Sequence, residues 1–398
     1  MARNLSGRGY VVRYRAEMMR KTIYRCVLIP MLVVLLPSCI NEFPHSSDVN
    51  QYDGIWLNID IVVGNSYMDT RTEEYPDAEC FIDIENDDFR IFIIDDRHIV
   101  RQRFIPSSVQ LTQENGSYVY KLGGNIKPLA SEFRVIVAVN WENAAFGGNY
   151  DDAFLLGQTT LNDLCDIWQS PDFIIRLAPD DYDSHKLRSW IPESGTAGIP
   201  MFGLSAKLYA GNTGVSVVDK VAIPMLRSLA KIEITNGTGD ENIIIESCRL
   251  SKYNRGGRFI PDGINSSDWY KNPQVVKPSL PSNNNLMYSE NVLFVPSDNG
   301  KRFTAYVPEM DLTEGTRPHI DVEISVEGVK STYEIALAGY INGKPDENNM
   351  LEYLLRNHCY EFTVNSVNAS MSAYGISPAL PNITLTSNHT ADFCRIPI

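Results

Sequence analysis

The apolar and polar residues of the chain alternate with a period of two over many short segments. The clearest segment has polar residues on one face and five apolar side chains on the other, namely Ile55, Leu57, Ile59, Ile61 and Val63. Residues 320–326 repeat this pattern. Because successive side chains of a strand point to opposite faces, the spacing predicts half-buried antiparallel strands. Looser alternation predicts further strands over residues 89–94, 133–141, 230–236, 303–307, 333–340 and 358–364.

Helical spacing is limited to short segments. Residues 161–168 follow Thr160, which with Asp163 predicts a capping box, and residues 350–357 follow two asparagines. Many short strands with a few short helices predict an all-β protein of β-sandwich architecture.

Length and glycine-rich stretches predict the domain organisation. The 398 residues are enough for two or three domains. Glycine-rich stretches at 195–198 and 210–214 predict a domain boundary between about residues 195 and 224. Residues 251–300 are rich in Asn, Ser, Pro and Gly, and we expect them to form long loops on the second domain.

The first 38 residues have the pattern of an export signal. Seven basic residues and one acidic residue precede an apolar run at 27–36. That run is too short to span a bilayer, which takes about 20 apolar residues. Leu36-Pro37-Ser38-Cys39 resembles the lipobox of bacterial lipoproteins, which implies a lipidated Cys39 that holds the mature chain to outer-membrane lipid. The alternative is an ordinary signal peptide in which Cys39 follows Ser38 by coincidence.

The charge balance argues against nucleic acid as a partner. The chain has 35 basic and 49 acidic residues and a net charge of −14. Without residues 1–38 it keeps 28 basic and 48 acidic residues, a net charge of −20. This is the wrong sign for a protein that neutralises phosphates.

Motifs for catalysis, metals or cofactors do not stand out from the sequence. The six histidines include no H-E-x-x-H pair, and there is no G-x-S-x-G turn. Residues 339–345 approach a P-loop, but their glycines are one residue too close and Pro345 replaces the Ser or Thr, so we expect a turn between strands. Acidic pairs lack the calcium-loop register, and the cysteines include no C-x-x-C. We therefore expect that the protein is not an enzyme and that it has no cofactor site and no metal site.

Several segments, in order along the chain, resemble the fimbrillins, the type V pilus subunits of Bacteroides-like Gram-negative bacteria. Each segment alone is weak, but their order over nearly the whole mature chain is specific. They are the lipobox, the strand at 55–63, Thr70-Arg71-Thr72 with Glu73-Glu74, residues 89–96, Ile199-Pro200-Met201, residues 221–234 with Arg227 and Lys231, Tyr306-Val-Pro-Glu309, and Leu355-Arg356-Asn357-His358-Cys-Tyr360.

The resemblance implies two tandem transthyretin-like β-sandwich domains with a few short helices. Residues 1–38 are then the signal peptide and 39–71 the lipidated segment with the first strand. Residues 72–215 form the N-terminal sandwich and 216–398 the C-terminal one. The resemblance also implies a surface-exposed outer-membrane lipoprotein that assembles into a fimbrium by strand exchange. Stalk, tip and anchor roles remain open, because anchor members keep their lipid and are not cut.

Strand exchange follows, in this family, an arginine-specific cut in the loop after the first strand. For this chain, the resemblance implies a cut between Arg71 and Thr72 that releases residues 55–63. A donor strand from a neighbouring subunit would restore the lost burial and backbone pairing. Residues 381–398 are a candidate donor, although their alternation breaks at 387–392. The alternative for Arg71 is an exposed loop arginine without a role.

Two functional hypotheses remain. The leading one is a non-catalytic structural and adhesive pilus subunit whose partners are other pilus subunits and host or bacterial surface ligands. The alternative is a surface glycan-binding lipoprotein of a polysaccharide-uptake system, with Trp269 and Tyr270 as a sugar-stacking surface. The strand at 55–63 discriminates between them, because a pilus subunit needs it to be replaceable and a glycan binder needs it kept.

Overall fold

The structure of the protein is a computed structural model of the chain. It describes residues 55–63, 78–82, 89–114, 117–127, 129, 132–140, 156–158, 160–161, 175–177, 187–189, 191–192, 198–209, 217–254, 257–262, 264, 275–280, 287–288, 292–313, 315, 317–341, 344–368 and 382–391. Short 3-10 turns lie at Ala78–Cys80 and Asp298–Gly300. Among the described residues, no helix is long and apolar enough to cross a membrane.

The first twelve strands in chain order are β1 Ile55–Val63, β2 Phe89–Asp95, β3 Val100–Phe104, β4 Ser108–Glu114, β5 Ser117–Ile126, β6 Glu132–Val139, β7 Ile175–Leu177, β8 Leu187–Ser189, β9 Met201–Leu204, β10 Leu208–Tyr209, β11 Val217–Pro224 and β12 Leu226–Arg227. The remaining strands are β13 Ala230–Asn236, β14 Ile243–Leu250, β15 Tyr253–Asn254, β16 Met287–Tyr288, β17 Val292–Leu293, β18 Val295–Ser297, β19 Arg302–Val307, β20 Met310–Asp311, β21 His319–Val326, β22 Val329–Ala336, β23 Ala338–Ile341, β24 Lys344–Met350, β25 Tyr353–Leu354, β26 His358–Asn368 and β27 Asn382–Ala391.

The strands of the N-terminal half build a β-sandwich. Sheet 1 has the strand order β11-β1-β5-β4, and sheet 2 has the order β12-β9-β6-β2-β3 with β10 beside β6. Side chains from β1, β5 and β11 of sheet 1 meet those from β2, β6 and β9 of sheet 2 in one buried cluster. Two sheets that bury their facing sides against each other form a sandwich.

A second sandwich follows in the C-terminal half. Sheet 3 has the strand order β18-β19-β13-β26-β27, and sheet 4 has the order β22-β21-β14-β17-β8-β7. Their facing side chains form a separate buried cluster, which contains residues of β13, β19 and β26 from one sheet and β14, β21 and β22 from the other. The all-β sandwich fold predicted from the sequence is therefore confirmed.

The central strands of sheet 2, β2 and β6, are buried on both faces. Along β2, Ile91 and Ile93 point into the first sandwich, whereas Phe92 and Ile94 belong to a third cluster. That third cluster also contains residues of the C-terminal half, namely Phe259, Ile260, Ile264 and Tyr306. An apolar core therefore joins the two halves, and it explains why the alternation over residues 89–94 and 133–141 is loose.

Hydrogen bonding does not follow the predicted division at residue 215. β11 and β12 come after it, yet β11 pairs with β1 and β12 with β9. β7 and β8 come before it, yet β8 pairs in parallel with β17 of sheet 4. Each half thus contributes strands to the sheets of the other, and the division into domains at 215 and 216 stays a prediction.

Several sequence-based element predictions can be compared with the structure. Residues 55–63 and 230–236 are β1 and β13 as predicted, and 320–326 lie within β21. The turn expected at 339–345 is confirmed, because β23 and β24 pair with Ile341 opposite Lys344. The predicted helix over 161–168 lies almost entirely outside the described residues.

The helix predicted over residues 350–357 is wrong. Met350 ends β24 and pairs with Ala338, and Leu354 of β25 pairs with Met310. Leu354 is fully buried in the core of the second sandwich. A short apolar run cannot be assigned to a helix or a strand by spacing alone, and here pairing partners far away in sequence determine the outcome.

Candidate functional site

β1 is the candidate for exchange, and it lies in the interior of sheet 1. On one side it pairs antiparallel with β5, from Ile55 opposite Ile126 to Val63 opposite Tyr118. On the other side it pairs in parallel with β11, from Trp56 opposite Val217 to Val62 opposite Pro224. Loss of β1 would leave the facing backbone groups of both neighbours unpaired, which is costly in a buried position.

The inner face of β1 carries the five apolar side chains that the sequence pattern singled out. They are at most 5% exposed and belong to the core of the first sandwich, namely Ile55, Leu57, Ile59, Ile61 and Val63. Full burial of such side chains contributes about 1.5–3 kcal/mol each, or on the order of 10 kcal/mol together. The vacated position would be a deep apolar groove nine residues long.

On the outer face of β1, Trp56 makes a specific contact. The indole of Trp56 lies over Gly123 of β5, and its Nε1 donates a hydrogen bond to Asn58 Oδ1 at 2.9 Å. A Cβ atom at Gly123 would lie 2.9 Å from Trp56 Cζ2 and 2.8 Å from Ser108 Oγ. The absence of a side chain at Gly123 therefore makes the space that the indole occupies.

The segment that follows β1 is held by side chains from other elements. Tyr120 of β5 accepts a hydrogen bond from Ile82 N at 3.1 Å and donates one to Cys80 O at 3.2 Å. Asn140 Nδ2, at the end of β6, donates to Phe81 O at 2.6 Å. Residues 80–82 are thus fixed to β5 and β6, independently of hydrogen bonds to β1.

Glu79 is the centre of a buried polar cluster that joins this segment to the C-terminal half. Its carboxylate lies 2.8 Å from Lys231 Nζ of β13 and accepts a hydrogen bond from the Tyr306 hydroxyl of β19. Arg227 Nε of β12 donates to Glu79 O at 2.9 Å. We call Glu79, Arg227, Lys231 and Tyr306 the Glu79 cluster.

The Glu79 cluster shifts the pKa values of its members strongly. Burial alone would raise the pKa of Glu79, but the charges of Lys231 and Arg227 and the hydrogen bonds from Lys231 and Tyr306 lower it to about 2. Burial would lower the pKa of Lys231, but Glu79 and Glu233 raise it above its usual value. Burial raises the pKa of Tyr306, and the charge of Glu79 raises it further. Glu79 and Lys231 are therefore charged at neutral pH.

A second buried ion pair anchors the loops of the C-terminal half. Arg356 Nη2 lies 2.8 Å from Glu309 Oε2, and both side chains are 1% exposed. Arg356 also donates to the carbonyl oxygens of Phe259 and Arg258, each at 2.6 Å. Glu309 Oε2 accepts a hydrogen bond from Ser279 N at 3.0 Å. The pair holds the segment that carries Phe259 and Ile260 against sheet 2.

Both polar centres contain residues of the segments quoted for the resemblance. Arg227 and Lys231 come from the segment 221–234, and Tyr306, Glu309 and Arg356 come from the later two. The sequence did not reveal their partners. Glu79 in particular was missed, because it lies 148 residues from Arg227 and 227 residues from Tyr306. The signal for these residues that the sequence did offer was the presence of charged residues inside otherwise apolar runs.

The structure brings together only part of the predicted site. The five apolar residues of β1 share one face, whereas Cys39, Arg71, Thr72, Trp269 and Tyr270 lie outside the described residues. Within the candidate donor at 381–398, β27 pairs antiparallel with β26 of the same chain, from Asn382 opposite Asn368 to Ala391 opposite His358. Backbone pairing thus continues through the segment where the alternation breaks.

The described cysteines lie in the interior of the fold. Cys80, Cys248 and Cys359 are buried, and no disulfide joins any two of them. Burial raises the pKa of Cys248 and of Cys359. In the part of the chain that the structure describes, no three His, Cys, Asp or Glu side chains are grouped as metal ligands.

Comparison with known proteins gives structural likeness only. No family model and no curated protein matches the sequence. A solved fimbrial assembly protein from Parabacteroides distasonis is 12% identical with a TM-score of 0.43, and the match covers 79% of this chain and 92% of that one. The fimbrial anchor protein Mfa2 from Porphyromonas gingivalis is 12% identical with a TM-score of 0.35, covering 84% and 97%. The chain shares its fold with the tip fimbrial protein Mfa3 from Porphyromonas gingivalis, which is 13% identical with a TM-score of 0.50, and the match covers 84% of this chain and 99% of that one.

Proposed function

We propose that the chain is a non-catalytic structural and adhesive subunit of a cell-surface pilus that assembles by strand exchange at β1. The observation that carries this proposal is the position of β1, which is a central strand of sheet 1 with five buried side chains on its inner face. A neighbouring subunit could supply the same backbone pairing and the same burial by β-strand addition. The fold shared with the fimbrial tip protein supports this proposal.

The cut that would free β1 belongs to the same proposal. Cleavage between Arg71 and Thr72 falls between Val63, the last residue of β1, and Ala78, the first residue of the turn that precedes β2. The Glu79 cluster supports the proposed position, because it holds the chain a few residues after the cut to β12, β13 and β19. Cleavage would release β1 while the rest of the fold stays attached.

Export and attachment complete the proposal. Residues 1–38 act as the signal peptide, Cys39 carries the lipid, and the mature chain is exposed on the outer membrane within a fimbrium. Its partners are other pilus subunits, and surface ligands are engaged through the exposed sandwiches.

The N-terminal residue of the mature protein tests this function. Mass spectrometry is applied to protein recovered from outer membranes and from sheared surface fibres. A chain that begins at Thr72 in the fibres supports cleavage and strand exchange. A lipid-modified Cys39 as the sole N-terminus in both fractions leaves β1 in place and favours a surface glycan-binding lipoprotein or a membrane-retained anchor.

A further inference from the structure

We propose that β4, an edge strand of sheet 1, pairs antiparallel with β4 of a second copy of this chain. The proposal goes beyond the function proposed above, and it does not require β1 to leave its place. The observation that carries it is a seven-residue edge strand whose side chains are all exposed or half-buried. The backbone groups on the free side of such a strand are a template for pairing with another strand.

β4 extends the apolar inner face of sheet 1 beyond the part that sheet 2 covers. Val109 lies opposite Leu122 of β5, and Leu111 lies opposite Tyr120, and both of these β5 residues are buried in the first sandwich. Because paired residues share one face of a sheet, Val109 and Leu111 also belong to the inner face. They are nevertheless 39% and 40% exposed, and Ile105 just before β4 is 72% exposed. An apolar strip at this edge therefore lacks a cover.

The other edge strands of the described sheets are short, interrupted or covered. β7, β10 and β12 have three residues or fewer, and β18 has three with Pro296 among them. β11 ends at Pro224, β22 carries Lys330, and β27 has a register shift beside β26. On β3, Val100 O accepts a hydrogen bond from Gly157 N at 2.7 Å, so a later segment covers the start of that edge. Such features keep sheet edges from associating, whereas β4 pairs regularly with β5 and contains neither Pro nor Lys.

The sequence of β4 is complementary to itself in antiparallel pairing. With Gln110 opposite Gln110 of the second copy, Val109 lies opposite Leu111, and two-fold symmetry repeats this apolar pair on the inner face. With Leu111 on the axis instead, Val109 would lie opposite Gln113. The first register is favoured because it pairs apolar side chains with each other. The two copies of sheet 1 would then form one continuous sheet.

The local charge also fits a second copy at this edge. The chain as a whole has a net charge of −14, but residues 104–113 contain no charged side chain. Glu114, the last residue of β4, lies 2.5 Å from Lys121 of β5, which balances its charge. Two acidic chains can therefore meet at β4 without like charges opposite each other, which would be destabilising. For this reason we assign the edge to a second copy.

Sedimentation velocity of the full chain over a range of concentrations tests the association. The wild type should form a dimer as the concentration rises. Leu111→Lys places a charge on the paired inner face and should weaken dimerisation at least about tenfold. Val329→Lys changes an exposed apolar residue at the edge strand β22 and is the matched control, which should dimerise like the wild type. Equal dimerisation of both variants would overturn the proposal. A monomer at all concentrations would also overturn it, and would leave the edge to a strand of another protein.

Cysteine cross-linking tests the register at exposed positions of the outer face. In the proposed pairing the two Gln110 Cα atoms lie about 5 Å apart, within the reach of a disulfide, whereas the two Ser108 Cα atoms lie about 14 Å apart. Under mild oxidation Gln110→Cys should therefore give covalent dimers at least about tenfold faster than Ser108→Cys. Both residues are exposed on β4, and each rate is taken above that of the wild type. Equal rates would overturn the proposed pairing.

Discussion

Lys231 and Glu79 form a buried ion pair, 2.8 Å between Nζ and the carboxylate, that connects the centre of sheet 3 to the turn that follows β1. Lys231 also lies 3.2 Å from Glu233 Oε2 of the same strand. The pair therefore links these two regions without any contribution from β1.

Removal of one partner of this pair should destabilise the whole chain. Glu79→Ala removes the carboxylate 2.8 Å from Lys231 and the negative charge near Arg227, and leaves Glu233 at 3.2 Å as the remaining partner of Lys231. Loss of one partner of a buried pair costs about 3–5 kcal/mol. Urea unfolding of the full chain measures the effect. Glu132→Ala is the matched control, because Glu132 pairs with Lys207 at an exposed position. Equal stability of Glu79→Ala and the control would contradict the assigned role of the cluster.

The Glu79 cluster should also make stability depend on pH in the acid range. The pKa of Glu79 is about 2 in the folded chain, against a usual value of 4.5. Since the folded value is the lower one, the stabilisation is complete above pH 4.5 and is lost as the pH falls toward 2. Urea unfolding at a series of pH values between 6 and 2 should show a shallower decline for Glu79→Gln than for the wild type. Parallel curves would mean that other carboxylates control acid unfolding.

Truncation of an inward side chain of β1 should be costly even without cleavage. Ile59 is fully buried, so Ile59→Ala should lower the free energy of unfolding by about 2–5 kcal/mol. Val109 of β4 is 39% exposed, and Val109→Ala should change it by about 0.5 kcal/mol or less. Urea unfolding compares the two. A small effect of Ile59→Ala would show that β1 contributes little to the uncut fold.

The Arg356–Glu309 pair should protect the backbone of the loop at 257–262 from local opening. Arg356→Met removes two hydrogen bonds to loop carbonyls and leaves Glu309 buried without its cation. Amide hydrogen exchange of residues 257–262 should become at least about tenfold faster, because hydrogen bonds to charged groups are among the stronger ones. Lys330→Met, at an exposed ion pair, should leave this loop unchanged. Unchanged exchange in Arg356→Met would mean that Phe259 and Ile260 alone hold the loop.

How much the sequence predicted depended on the environment of each strand. β1 and β21 could be delimited to within a residue, because one face of each is apolar and the other polar. The strands of sheet 2 were less distinct, because both faces are buried and Phe92 is as apolar as Ile91. Met350 and Leu354 were misassigned because their pairing partners lie outside any local window.

The site was predictable on its apolar side and not on its polar side. Alternation alone located the five inward residues of β1, whereas the Glu79 cluster depends on contacts across 148 and 227 residues. The contact of Trp56 was equally hidden, since it is made with Gly123, which lies diagonally across on β5, and not with its own neighbours in sequence.

The path of the chain from β11 to β13 determines how a pulling force would pass through the fold. Within residues 217–236 it passes from an edge of sheet 1 through β12 in sheet 2 to the central strand of sheet 3. A tensile load applied to a strand in the β1 groove would act along β11 and β5, so that many backbone hydrogen bonds resist it in shear at the same time. The load would then reach the middle of sheet 3 through a short and continuous piece of backbone. The chain would therefore resist extension as a single unit under such a load.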